Sequence, residues 1–323
     1  MKKIIDAVDK EVLKAELNPQ CFVRDTNRGG NQVYIVDNQN APNVIREIGR
    51  LREIAFRNGG GGTGEALDID KFDTDPAYGY KQLVVWDPDA ECIIGGYRYT
   101  LCDKAVFDYE GQPILTSSHL FRFSHRFLKK YFLKTIEFGR SFVSVDYQSS
   151  KAGSKSLYAL DNLFDGIGAL MLLYKNRAKY MFGKMTIYPS FPEEGLAMIL
   201  YFLNKHFGER NEHLIVPKHP FKVKTPRRIK RVFTEDSFAE DYKILKAEIL
   251  KMGVSIPPLV NSYMNLSATM KIFGTSINDE FGNVLDTGLL INFDEMNPDK
   301  KHRHVRMQPV DLKLLFRRFR KER

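Results

Sequence analysis

Cysteine is scarce in this chain: 323 residues carry three, Cys21, Cys92 and Cys102. An odd number without metal-ligand spacing argues against a disulfide scaffold or a structural zinc site. It reads as free thiols in a reducing cytoplasm. Long apolar runs are also missing. The longest, such as Ile167 to Tyr174, fall far short of the ~20 residues a membrane-spanning helix needs. The basic opening Met1-Lys2-Lys3 is followed by no apolar stretch of signal-peptide length. Negative charge is in the minority, with 40 Asp and Glu against 49 Lys and Arg. The resulting net charge of +9 favours an anionic partner. With no internal repeat and no long linker, residues 1–323 read as one elaborated domain with a basic tail over about 300–323.

Several chemistries are missing as well. Gly59 and Gly64 have the spacing of a phosphate loop, but Glu65 stands where the lysine is required, and the run reads as a flexible lid or linker. The acyl-transfer pattern of His followed five residues later by Asp fails at His119, His125 and His213, which meet Ser124, Lys130 and Lys218. No Gly-x-Ser-x-Gly elbow is present. The seven histidines form no helical metal pair, and His302 and His304 read as surface residues of a basic tail. No aromatic stacking pattern or recognition motif supports nucleic acid.

What is present is an alternation of elements. Residues 1–20 read as a short helix and Asn31–Asp37 as a strand. Pro42 opens a helix that carries Ile45, Ile48, Leu51 and Ala55 at helical spacing up to Asn58. Tyr80–Trp86 and Glu91–Leu101, joined by Asp87-Pro88-Asp89-Ala90, read as a hairpin. A strand over Lys134–Val145, a helix over Ser156–Lys175, a strand over Tyr180–Ile187 and a helix over Glu193–His206 follow. His213–Val216 reads as a further short strand. The pattern predicts an α/β fold with a mixed sheet.

Charges stand where these elements want apolar residues. Arg52, Glu53 and Arg57 lie on the first long helix and read equally well as a solvated face. Asp68, Asp70 and Asp73 follow the glycine run, without the glycine and terminal glutamate of a calcium loop. Glu137 and Arg140 are three apart on one strand and so point to opposite faces. Either one charge faces the interior or a bulge intervenes.

In order, Leu51-Arg52…Phe56, Asp70…Asp73, Gly95…Arg98 and Glu137…Arg140 resemble the N-acyltransferase branch of the GNAT fold. That branch includes ornithine-lipid N-acyltransferases, hemolysin-like acyltransferases and acyl-homoserine-lactone synthases. The segment Pro257-Pro258-Leu259…Tyr263 and the run Asp286-Thr287-Gly288-Leu289-Leu290 are similar to downstream parts of the lipid-making members. The resemblance covers about residues 31–293. It implies a three-layer sandwich, a mixed and mostly antiparallel sheet flanked by helices, with helical additions at both ends.

The resemblance further implies transfer of a 3-hydroxy long-chain acyl group from an acyl-carrier-protein thioester to the amine of an amino acid. Glycine comes first as acceptor, with ornithine or a homoserine-lactone-type product as alternatives. No cofactor is implied beyond the phosphopantetheine-borne thioester. Glu137 and Arg140 are then the catalytic expectation, with Glu137 as base directly or through water. Arg52, Phe56, Asp70, Asp73, Arg98 and Ser141 are expected at the acceptor, and Val143, Lys151 and Lys155 at the donor. The basic segment Lys218–Arg231 suits an acidic carrier. The basic amphipathic run Leu312–Arg323 suits an anionic membrane surface, giving a cytoplasmic protein peripheral to the inner face. The non-enzymatic alternative is a basic module that docks on membranes or acyl carriers.

Overall fold

The computed structural model describes residues 1–148, 154–234 and 237–305. In chain order the strands are β1 Phe22–Asp25, β2 Gln32–Val36, β3 Lys81–Asp87, β4 Cys92–Leu101, β5 Phe121–Phe123, β6 Thr135–Val143, β7 Tyr180–Ile187, β8 Ile215–Pro217, β9 Lys271–Asn278 and β10 Val284–Asn292. The helices are α1 Lys10–Glu16, α2 Pro42–Gly59, α3 Lys71–Thr74, α4 His125–Lys130, α5 Ser154–Leu173, α6 Glu193–Phe207, α7 Arg227–Val232, α8 Phe238–Lys251, α9 Pro258–Met264 and α10 Pro298–His304.

Eight strands form one sheet in the order β1-β2-β3-β4-β6-β7-β10-β9, and β5 and β8 pair separately. Every neighbour in the large sheet is antiparallel except β6 and β7, which run parallel. This is the mixed, mostly antiparallel sheet that the resemblance implies. Its α5 face buries Leu83, Val85, Ile136 and Phe138 with Leu163, Ile167 and Leu170. Its α2 face buries Val84, Trp86 and Phe142 with Ile45, Ile48 and Phe56. Alternate residues of β3 thus feed opposite layers, as the two-residue period of a strand requires.

The sequence places β2, β3, β4, β6 and β7 closely, and α2, α5 and α6 to within a few residues. It misses β1, β5 and β9, the short helices α3 and α4, and the helices after Phe207. His304 also departs from its sequence reading. Far from being a surface residue, it is 3% exposed, with Nδ1 2.8 Å from Asp165 Oδ1. All three cysteines are free. Among the described residues no helix is long and apolar enough to cross a membrane.

Two irregularities create the site. The first is a bulge. Gly96 pairs with Phe142 and Arg98 with Gly139, so Arg140 and Ser141 together oppose Tyr97. Arg140 takes φ +48°, a left-handed conformation rare outside glycine. Gly95 lets β4 lie this close, because a side chain there would meet Phe142 O at 2.4 Å. The second irregularity is a splay. The β6–β7 ladder holds only at Thr135, Ile136 and Glu137, paired with Tyr180, Met181 and Phe182. Beyond Glu137 the parallel strands diverge, and the β7-facing backbone of β6 has no strand partner.

Candidate active site

A cleft of about 440 Å³ opens in the splay. Phe138 through Val143 of β6 line one wall, and Lys184, Thr186 and Tyr188 line the β7 side. One end is closed by Ala55 and Phe56 of α2 and by Phe281 from the β9–β10 turn. The other end runs between Ala159 and Leu160 of α5 and the segment Pro257-Pro258-Leu259 with Tyr263. That second end is predominantly apolar. The volume is that of a small-ligand site.

Arg140 is the cation at the closed end. Its guanidinium carbon lies 4.4 Å from the centre of the Phe281 ring, and its Nε lies 3.1 Å from Asp68 Oδ2. Burial lowers its pKa below the ordinary value; Asp68 opposes that shift, while Arg98 and Arg52 add to it. Arg140 is therefore the least compensated cation of the group and suited to receive an anion.

The other two arginines are already occupied. Arg52, 1% exposed, donates from Nη1 and Nη2 to Asp73 at 3.1 and 2.8 Å, and from Nη2 to Asp68 O. Arg98, 2% exposed, donates from Nη1 to Asp70 at 2.7 Å and to Asp73 at 2.8 Å. Asp70 and Asp73 form a reciprocal capping box on α3. Burial alone would raise the Asp73 carboxyl, but Arg52 and Arg98 outweigh it and hold it well below the ordinary range. The solvated-face reading of α2 therefore fails at Arg52, and also at Glu53, which is fully buried. Glu53 accepts from Thr63 N at 3.0 Å, Thr63 Oγ1 at 2.9 Å and Gly64 N at 2.8 Å, and so folds the glycine run back on α2.

Glu137 and Arg98 do not line the cleft. The Glu137 carboxylate accepts from Tyr80 O–H, from Ser117 N at 3.0 Å and from Thr116 Oγ1 at 3.2 Å. It ties the loop before β5 to β6. Of the residues named from the sequence, Phe56, Arg140, Ser141 and Val143 meet in the cleft. Arg52, Asp70, Asp73 and Arg98 form the ion-pair cluster behind Arg140. Lys151 and the side chain of Lys155 lie outside the described residues, as does the run Leu312–Arg323.

Sequence reasoning notes Asp68 but gives it no place in the site, and it passes over Lys184, Tyr188 and Phe281. Asp68 stands in the same acidic run as Asp70 and Asp73. Lys184 donates to Asp286 Oδ2 at 2.7 Å, which keeps that fully buried carboxylate charged. Burial and Asp286 push the Tyr188 phenol up to about 12, so it stands in the cleft wall uncharged at neutral pH. No sequence signal brings Phe281 to Arg140, since they stand 141 positions apart.

A bulged strand beside a splayed parallel pair, with a cleft in the splay, defines an acyltransferase of the GNAT class. Residues 51–157 match the acetyltransferase (GNAT) domain family. The glycine N(alpha)-acyltransferase of Bacteroides thetaiotaomicron is 56% identical over 306 residues, spanning 94% of this chain and 90% of that protein. The protein of the same name from Phocaeicola vulgatus is 54% identical over 308 residues, spanning 94% and 93%. The chain belongs to the family of these proteins and is an amino-acid N-acyltransferase. No solved structure matches it.

Proposed function

We propose that this enzyme transfers a long-chain acyl group, 3-hydroxylated as the resemblance implies, from a carrier-protein thioester to the amine of glycine. Its product, an N-acylglycine, enters aminolipid synthesis. The observation that carries the reading is Arg140: among the three clustered arginines, it is the one that lines the cleft. An arginine fork binds a carboxylate at two points. Both relatives bear the name of a glycine acyltransferase.

With the carboxylate on Arg140, the amine points into the splay. The unpartnered β6 edge offers main-chain N–H groups to the thioester carbonyl oxygen, where negative charge grows as the amine attacks. The acyl chain extends along the apolar end, between α5 and the Pro257–Leu259 segment. The amine must be neutral to attack. Among the described residues neither a carboxylate nor an imidazole lines the cleft. As the carbon–nitrogen bond forms and the carbon–sulfur bond breaks, the amine's proton passes through water to the departing phosphopantetheine thiolate. Glu137 holds the β6 scaffold rather than the proton.

An acidic acyl carrier protein is the proposed donor, its phosphopantetheine carrying the thioester. Lys218, Lys222, Lys224, Arg227, Arg228, Lys230 and Arg231 are all exposed, which supports docking of such a carrier. We place the enzyme in the cytoplasm, at the inner face of the membrane that receives its product. The test is purified protein with acyl-carrier-protein and acyl-CoA donors and a panel of amino acids, read by mass spectrometry. Acylglycine from the carrier donor is expected. Acylornithine alone would overturn the glycine assignment, and turnover from acyl-CoA alone would overturn the carrier assignment.

A further inference from the structure

Glycine offers a binding site no side chain to grip. A site that selects it must reject everything larger, and rejection works only if the wall does not yield. The closed end of the cleft has such a wall. Phe281 lies under the Arg140 guanidinium, and Phe56 meets it edge-on with ring centres 4.9 Å apart at 74°. Tyr188 stands beside them at the end of β7.

The glycine run closes the back of this wall. A Cβ on Gly59 would lie 2.8 Å from Tyr188 Cζ, and one on Gly61 would lie 2.9 Å from Tyr188 Cε1 and 3.4 Å from Phe281 Cε1. A Cβ on Gly282 would lie 3.1 Å from Gly61 Cα. Carbon atoms pack at about 3.5–4.0 Å, so bare main chain fills this space and the rings have nowhere to recede. The run itself is anchored. Glu53 binds Thr63 and Gly64, and Arg57 donates to Lys2 O at 2.8 Å and to Glu65 O at 2.5 Å.

We propose that Phe281 and Tyr188, backed by Gly59–Gly61, are the acceptor-size filter of this enzyme. They occupy the space beside the Cα of a carboxylate held on Arg140, so that glycine enters and an amino acid with a Cβ does not. The inference rests on glycine being the acceptor. It gives the glycine run the role of a rigid backing, in place of the flexible lid read from the sequence. A close-fitting pocket typically discriminates one methylene by about 10- to 200-fold.

The test compares kcat/KM for glycine, alanine and serine in the wild type, Phe281→Leu, Phe281→Ala and Tyr188→Leu, with thermal melts to verify folding. The wild type is expected to prefer glycine to alanine by about 100-fold. Each folded variant should raise the alanine-to-glycine ratio at least tenfold. An unchanged ratio in folded Phe281→Leu and Tyr188→Leu would overturn the filter while leaving glycine as acceptor. A wild type that acylates no glycine would overturn the acceptor assignment itself. If Phe281→Ala does not fold, the two leucine variants decide the matter.

Discussion

Asp68 Oδ2 lies 3.1 Å from Arg52 Nε and 3.1 Å from Arg140 Nε. One carboxylate oxygen therefore bridges an arginine of the buried cluster and the arginine of the cleft. Neither contact has hydrogen-bond angles, so the attraction is Coulombic. It holds the Arg140 guanidinium between Asp68 and the Phe281 ring at the cleft wall. The buried pairs behind it hold that position without taking up the fork.

Arg140→Gln should therefore weaken glycine binding with little effect on the fold. Losing a hydrogen bond to a charged group costs about 1.5–3 kcal/mol, which corresponds to a rise in KM of about 10- to 100-fold. Steady-state kinetics against glycine concentration check this. An unchanged KM would remove Arg140 from the acceptor site.

The bulge carries its own signature. At φ +48° a side chain is strained and glycine is not. Arg140→Gly and Arg140→Ala remove the same guanidinium, so both should lose activity. The glycine variant should nevertheless be the more stable, by about 1 kcal/mol or more. Urea denaturation of the pair measures the difference, and equal stabilities would contradict the left-handed bulge.

Asp73 dictates a pH dependence. Its folded carboxyl is held below the ordinary value, so the folded state binds its proton less readily than the unfolded chain. The stability this contributes is complete above about pH 4 and is lost as pH falls through the lower folded value. Asp73→Asn should cost about 3–5 kcal/mol at pH 7, since it leaves two buried arginines short of a partner. It should also flatten the decline below pH 4. Melting temperatures from pH 7 down to pH 3 check both effects.

Glu137→Gln separates a scaffold role from a proton-transfer role. The neutral amide loses the charge that Ser117 and Tyr80 donate to, at a cost of about 1–3 kcal/mol. Turnover should fall by no more than about tenfold, with the pH–rate profile unshifted. A general base would instead carry a 10²- to 10⁴-fold effect together with its limb of the profile.

Much of the site was legible from local sequence. Arg52, Asp70, Asp73 and Arg98 announce themselves as charges on core elements, and burial among mutual partners is the way such charges are tolerated. The clash of phase between Glu137 and Arg140 also announces the bulge. The extra residue moves Arg140 to the α2 face, which Glu137 already occupies. The roles were less legible. Three arginines are equivalent in sequence, and only the fold distinguishes the two held by Asp70 and Asp73 from the one that lines the cleft.

The sequence by itself determined the class of fold, through the two-residue and 3.6-residue periods of its apolar positions. It also determined the ordered charges that mark the site. The tertiary structure decided which charges line the cleft, because that depends on distances across strands far apart in the chain. Phe281 reaches Arg140, and Gly61 reaches Tyr188, only after β7, β9 and β10 have closed the sheet. Contacts of that range leave no trace in local periodicity, and the filter they build exists in the folded chain alone.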